Sequence, residues 1–174
     1  APFLIFLSSV HLIGFSYSFY KEEFLKYNVE NNVPEALELH QNVMDFLKGK
    51  SDYLTDRFND REKRHLQDVK RLVLLSKSVL YFLMGLFFIL VVALMRLEKN
   101  RKNLKQIIGK SLLFGGLITI MIAILLLLLI NLNFPSSFES FHKTFFQAGT
   151  YAFDPEYEII VNIYPEELFM ELGL

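Results

Sequence analysis

The sequence predicts an all-α polytopic membrane protein: a small helical bundle carrying an extracytoplasmic cap made of two outer segments. Three observations predict it. Two long runs, Ser78–Met95 and Ser111–Asn133, contain no charged residue, and each approaches or exceeds the roughly 20 residues that cross a bilayer as a helix. The second run is apolar on every face through Met121-Ile122-Ala123-Ile124 and five leucines, which a one-sided core helix is not. The basic residues gather in the short loop between the runs, as in a cytoplasmic connection.

The elements follow in order, within one membrane domain. Residues 2–20 form span 1, apolar and aromatic, with no acidic or basic residue except His11. No basic segment precedes this stretch and no small-x-small site follows it, so it does not read as a signal peptide. The start, Ala1-Pro2 without Met, is expected to be a cut or processed end.

Residues 21–71 form an extracytoplasmic segment, with ten basic and eleven acidic residues. Val33-Pro34-Glu35 opens a helix there, with Asn32 placed to cap it. Leu37, Met44 and Leu47 fall on one stripe, and Gly49 stops the helix. His40 lies near that stripe and reads as a structural histidine. Gly49-Lys50-Ser51 resembles the end of a phosphate loop, but Met44 stands where the loop needs glycine, so that reading fails. Asp60–Arg71 reads as a charged helix running into span 2. Glu62, His65, Asp68, Val69 and Leu72 share one of its faces.

Span 2 covers residues 72–95. Lys77 lies inside it and snorkels to the outer interface. Residues 96–110 form the cytoplasmic loop, with six basic residues against Glu98. Span 3 covers residues 111–132. Residues 133–174 form an extracytoplasmic tail, in which Lys143 faces seven carboxylates. Phe138, Phe141, His142 and Phe145 have helical spacing there. Asp154-Pro155 marks a turn, Glu158–Tyr164 is β-prone, and Pro165-Glu166-Glu167 opens a final helix.

Outside the cytoplasmic loop no basic patch of the nucleic-acid kind exists. The chain has no cysteine, which removes thiolate metal sites and a cysteine nucleophile. No Gly-x-Ser-x-Gly occurs either. What remains is a pair of histidines, His65 and His142, that the charge pattern puts on one side of the membrane near the headgroups. A titratable pair there suits acid–base chemistry on a lipid-linked substrate.

Two separated stretches carry a resemblance. Glu62-x-x-His65-Leu66-x-Asp68-Val69-Lys70 stands before a span. Phe141-His142-x-x-Phe145-Phe146 is followed by Phe153-Asp154-Pro155 and by Tyr164-Pro165-Glu166-x-x-Phe169. With the layout and the basic loop, nearly the whole chain resembles the bacterial lipoprotein intramolecular transacylases, four-span proteins of the cytoplasmic (plasma) membrane. Tyr151 stands where that family leads one to expect Trp, and Glu158 where it leads one to expect Asp. The resemblance also implies a fourth span after Pro165, expected beyond the last residue here.

The activity implied is transfer of the sn-2 acyl chain of a diacylglyceryl lipoprotein to the α-amine of its N-terminal cysteine. The product is a lyso-form lipoprotein. His65 and His142 would be catalytic, with Glu62, Asp68 and Asp154 supporting or orienting them. Acids three residues either side of His65 would favour its protonated form. Phe141, Phe145 and Phe146 would line the substrate. Ester to amide is downhill, so no cofactor and no metal are expected. The partners are the lipoprotein substrate and membrane lipids, and no nucleic acid. Two other readings stay open: a metal-dependent membrane hydrolase holding zinc through His65, Asp68, His142 and Asp154, and a non-enzymatic membrane partner with structural histidines.

Overall fold

The computed structural model describes residues 2–146 and 149–173. In chain order its helices are α1 (Pro2–Ile13), α2 (Tyr17–Lys26), α3 (Val29–Asn32), α4 (Ala36–Leu47), α5 (Asp60–Leu97), α6 (Arg101–Leu132), α7 (Phe134–Phe145), α8 (Ile160–Ile163) and α9 (Glu166–Gly173). No strand occurs among the described residues.

Two helices, α5 and α6, are long and apolar enough to cross a membrane. α5 starts at a capping box. The Asn59 side chain accepts the amides of Arg61 and Glu62, and the Glu62 carboxylate accepts the Asn59 amide at 2.6 Å. Three amides at the helix start are thereby satisfied, which licenses a sharp start. α5 then runs 38 residues without a break, about 57 Å at 1.5 Å per residue. The charged outer helix and span 2 are therefore one rod. Asn100 caps α6 with its side chain alone, accepting the amides of Lys102 and Asn103. Large apolar side chains stand outward on both rods, with Phe82, Phe88 and Leu112 about 70% exposed. That surface is at home in hydrocarbon and not in water.

α1 packs against both rods. His11 Nε2 lies 3.1 Å from Ser76 Oγ, whose hydroxyl donates to the Val73 carbonyl at 2.9 Å. His11 is therefore the donor of this interhelical bond. The apolar stretch 2–20 is not one straight helix. It breaks after Ile13, and α2 turns away by 65°. Ser16 makes the break, because its side chain accepts the Phe19 amide and caps α2. Tyr20 and Phe24 then enter the cap.

The cap is where the buried core sits. α2, α3, α4, the first turns of α5, α8 and α9 all contribute to it. Phe24, Phe58, Ile163 and Leu168 are essentially inaccessible, and each contributes about 1.5–3 kcal/mol by burial. α4 buries Leu39, Val43, Phe46 and Leu47, with Leu37 at the edge of that face. Gly49 ends it at φ +73°, with Gly49 and Lys50 amides bonding the Phe46 and Asp45 carbonyls. This is a Schellman cap, which needs a left-handed residue.

Two local expectations are corrected. Asn32 ends α3 and does not cap α4, whose first turn has no side-chain cap. The β-prone run around residue 160 forms the single turn α8. Its β-branched residues find burial in the cap and no strand partner: Ile160 is 6% and Ile163 0% exposed.

Candidate active site

His65 rides on the second turn of α5 and His142 on the last turns of α7. Their rings lie nearly parallel, 19° apart in plane, with centroids separated by 6.1 Å. His65 is buried and His142 half-buried. The two lie 77 residues apart in the chain; the α5–α6 hairpin brings them together.

α7 forms because Asn133 caps it through the Ser136 amide and Pro135 sits in its first turn. Its spacing then stacks Phe138, Phe141 and His142 on neighbouring turns. Phe138 lies 4.1 Å from the His142 ring and Phe141 5.5 Å. Phe146 touches both rings of the pair, 4.8 Å from His65 and 5.3 Å from His142. From the segment after residue 148, Phe153 stands 5.3 Å from His65 and Tyr151 5.2 Å from His142. Phe145 stacks on Phe141 at 4.9 Å, and both remain about half exposed.

This aromatic surrounding decides the charge state. Burial, and secondarily the neighbouring His142, push the pKa of His65 down to about 4. Burial also lowers His142, opposed by its bond to the Phe138 carbonyl. Low-dielectric surroundings penalise the imidazolium, so both rings are neutral near pH 7. The acids flanking His65 do not favour its protonated form, contrary to the sequence expectation.

The hydrogen bonds also separate the rings. His142 Nδ1 lies 2.8 Å from the Phe138 carbonyl oxygen. A carbonyl only accepts, so Nδ1 carries the proton and Nε2 bears the lone pair. His65 Nδ1 is buried with no hydrogen-bond partner.

The three carboxylates expected to orient the pair lie elsewhere. Glu62 spends one oxygen on the Asn59 amide and the other on the Ile160 amide at 2.8 Å. Asp68 pairs with Arg71 at 3.2 Å. Asp154 caps the turn that follows it, accepting the Glu156 amide at 2.9 Å. The orienting bond on His142 comes from the backbone of its own helix. Among the described residues, no group of three or more His, Asp or Glu side chains is arranged to hold a metal ion.

Sequence reasoning passed over Arg61. It bonds the Gly149 carbonyl (3.0 Å), the Ala152 carbonyl and the Glu158 carboxylate (2.7 Å), and it lies over the Phe153 ring. A signal existed: an arginine in the first turn of a helix opposes the macrodipole and calls for partners elsewhere.

His40 is a satisfied core histidine. Its Nδ1 meets the Tyr164 hydroxyl at 3.0 Å between the Tyr20 and Phe24 rings.

A family model described as lipoprotein intramolecular transacylase Lit matches residues 1–169. Among solved structures, the membrane-integral lipoprotein intramolecular transacylase Lit from Bacillus cereus is similar at 27% identity and a TM-score of 0.83. That match covers 99% of this chain and 80% of that one. Two single-histidine variants of the same Bacillus cereus protein match at 26% identity and a TM-score of 0.77. They cover 99% of this chain and 76% and 78% of theirs. A search of curated proteins gives no match.

Proposed function

The chain belongs to the Lit family of lipoprotein intramolecular transacylases, and from that premise we propose that His65 and His142 carry the proton transfers of the acyl migration. It is a membrane-integral acyltransferase acting on lipoproteins. The finer reading is transfer of the sn-2 acyl chain of the diacylglyceryl group to the α-amine of the N-terminal cysteine. It takes place at the outer headgroup layer of a bacterial cytoplasmic membrane.

The observation that carries this reading is the parallel, neutral histidine pair inside an aromatic cup. The α-amine attacks the ester carbonyl carbon. His142 Nε2, whose lone pair the Phe138 bond leaves free, accepts the proton the amine loses. The tetrahedral oxyanion takes a hydrogen bond from a neutral His65 N–H, whose tautomer no protein acceptor dictates at Nδ1. Collapse breaks the bond to the sn-2 oxygen, and His142 returns its proton there. Amide forms, alcohol leaves, and no acyl-enzyme intervenes. Donor and acceptor belong to one molecule, so holding them in reach contributes most, up to about 10⁷-fold as effective molarity. Proton transfer adds about 10²–10⁴. Phe141, Phe145 and Phe146 form the apolar wall against the lipid.

Mass spectrometry of lipoprotein N-termini tests the reading, in cells with and without this protein. Lyso-form termini are expected only with it. An unchanged diacyl pattern in cells that express the protein overturns the reading.

A further inference from the structure

We propose that Arg61 is a positioning residue for the acyl migration: its guanidinium ties the segment 149–158 to the first turn of α5 and so holds Phe153 and Tyr151 against the histidine pair. This rests on the transacylase reading of the site.

Among the described residues the Arg61 side chain makes four contacts, and all go to that segment. Nε donates to the Gly149 carbonyl, Nη2 to the Ala152 carbonyl and Nη1 to Glu158 Oε1, while the guanidinium plane covers the Phe153 ring at 5.2 Å. The fork geometry of arginine allows several fixed bonds at once; a lysine replaces about one of them. Glu158 completes the tie. Glu158 is 5% exposed, and its carboxylate accepts the Asp154 amide with its other oxygen. One residue along α5, Glu62 holds Ile160. Arg61 and Glu62 therefore stitch a continuous seam from Gly149 to Ile160. Gly149 takes φ +85° at the start of that seam, a conformation that favours glycine.

The tied segment delivers two of the rings that wall the site. Phe153 covers His65 and Tyr151 covers His142. Loosening the tie lets water reach His65. Among the described residues the titratable group that faces that ring is His142 from α7. Tyr151 of the seam meets His142. The charged groups of the same elements are engaged with other partners, Arg61 with Glu158, Glu62 with the Asn59 and Ile160 amides, and Asp68 with Arg71. The rest of the wall, Phe146 and Phe153, is apolar.

The test uses the full chain in lipid or detergent with a synthetic diacylglyceryl lipopeptide. Arg61→Lys and Glu158→Gln probe the tie from its two ends. Three quantities are read: kcat and KM for lyso-lipopeptide formation, melting temperature, and histidine ring titration by NMR. The expected result is a fall in kcat of about tenfold or more with KM within about threefold. The His65 titration midpoint moves up from about 4 toward the ordinary 6.5. Unchanged His65 titration, whether or not rate and melting temperature fall together, overturns the proposal and leaves Arg61 a purely structural tie. If the unsubstituted protein forms no lyso-lipopeptide, the transacylase reading fails, and the NMR arm still decides the tie.

Discussion

Glu62 Oε1 accepts the amide of Ile160 at 2.8 Å across 98 residues of chain, in full burial. Its other oxygen caps its own helix. One carboxylate thus joins the start of α5 to the C-terminal segment. Glu62→Ala strands two amides and is expected to cost about 2–4 kcal/mol, while Glu62→Gln keeps one acceptor oxygen and costs about half that. Thermal unfolding in detergent checks the ranking. A Glu62→Ala protein as stable as the unsubstituted one would remove the seam from the account.

The two histidines are expected to differ from every other residue of the cup. His142→Ala and His65→Ala each lower lyso-lipopeptide formation by about 10²-fold or more, with melting temperatures close to the unsubstituted value for the half-buried His142. Mass spectrometry of the lipopeptide product reads it. Near-normal turnover in folded His142→Ala would sink the proton-transfer role.

Stability should depend on pH in the acid range. His65 and His40 both have their pKa pushed down to about 4 by burial, from an ordinary 6.5. Above about 6.5 both are neutral, folded or unfolded, and stability is full. Below that the unfolded chain takes up protons the fold refuses. Stability then falls by up to about 1.4 kcal/mol per pH unit for each ring and levels off below about 4. Denaturant melts at pH 7 and pH 5 read this, and His40→Phe should roughly halve the slope. A midpoint that does not move over that interval contradicts the burial of both rings.

Tyr164→Phe separates the structural histidine His40 from the proposed catalytic pair. It removes the hydroxyl that meets His40 Nδ1 and leaves a buried nitrogen without a partner. The expected loss is about 1–2 kcal/mol of stability, with turnover unchanged. A large fall in rate at constant stability would instead connect the His40 cluster to the chemistry.

How much was legible depends on the range of the force involved. The two rods announce themselves through charge-free runs, because lipid tolerates no unpaired charge along them. The continuity of α5 from Asp60 and the opening of α9 after Pro165 follow from local capping and helix-start chemistry. The meeting of His65 and His142 was readable only through topology and family resemblance. Other features have no local signature. The bond that fixes His142 comes from a backbone carbonyl, which every residue possesses. Glu62 looks like a partner for His65 at helical spacing, yet a distant amide competes for it and wins. The turn at Ile160 obeys burial in the cap over β propensity.

α5 carries His65 and span 2 on one rod without a joint. His65 stands seven residues beyond Leu72, about 10 Å along the axis. His65 therefore moves with span 2 as part of one lever, near the Asp60 end of the rod. A thinner or thicker membrane is accommodated by tilting spans. A 10° tilt would swing that end sideways by about 2 Å, beyond the 1 Å displacement that already slows well-aligned reactions. On the proposed chemistry, bilayer thickness is then expected to enter the rate without touching any atom that reacts, which turnover in vesicles of short-chain and long-chain lipids reads.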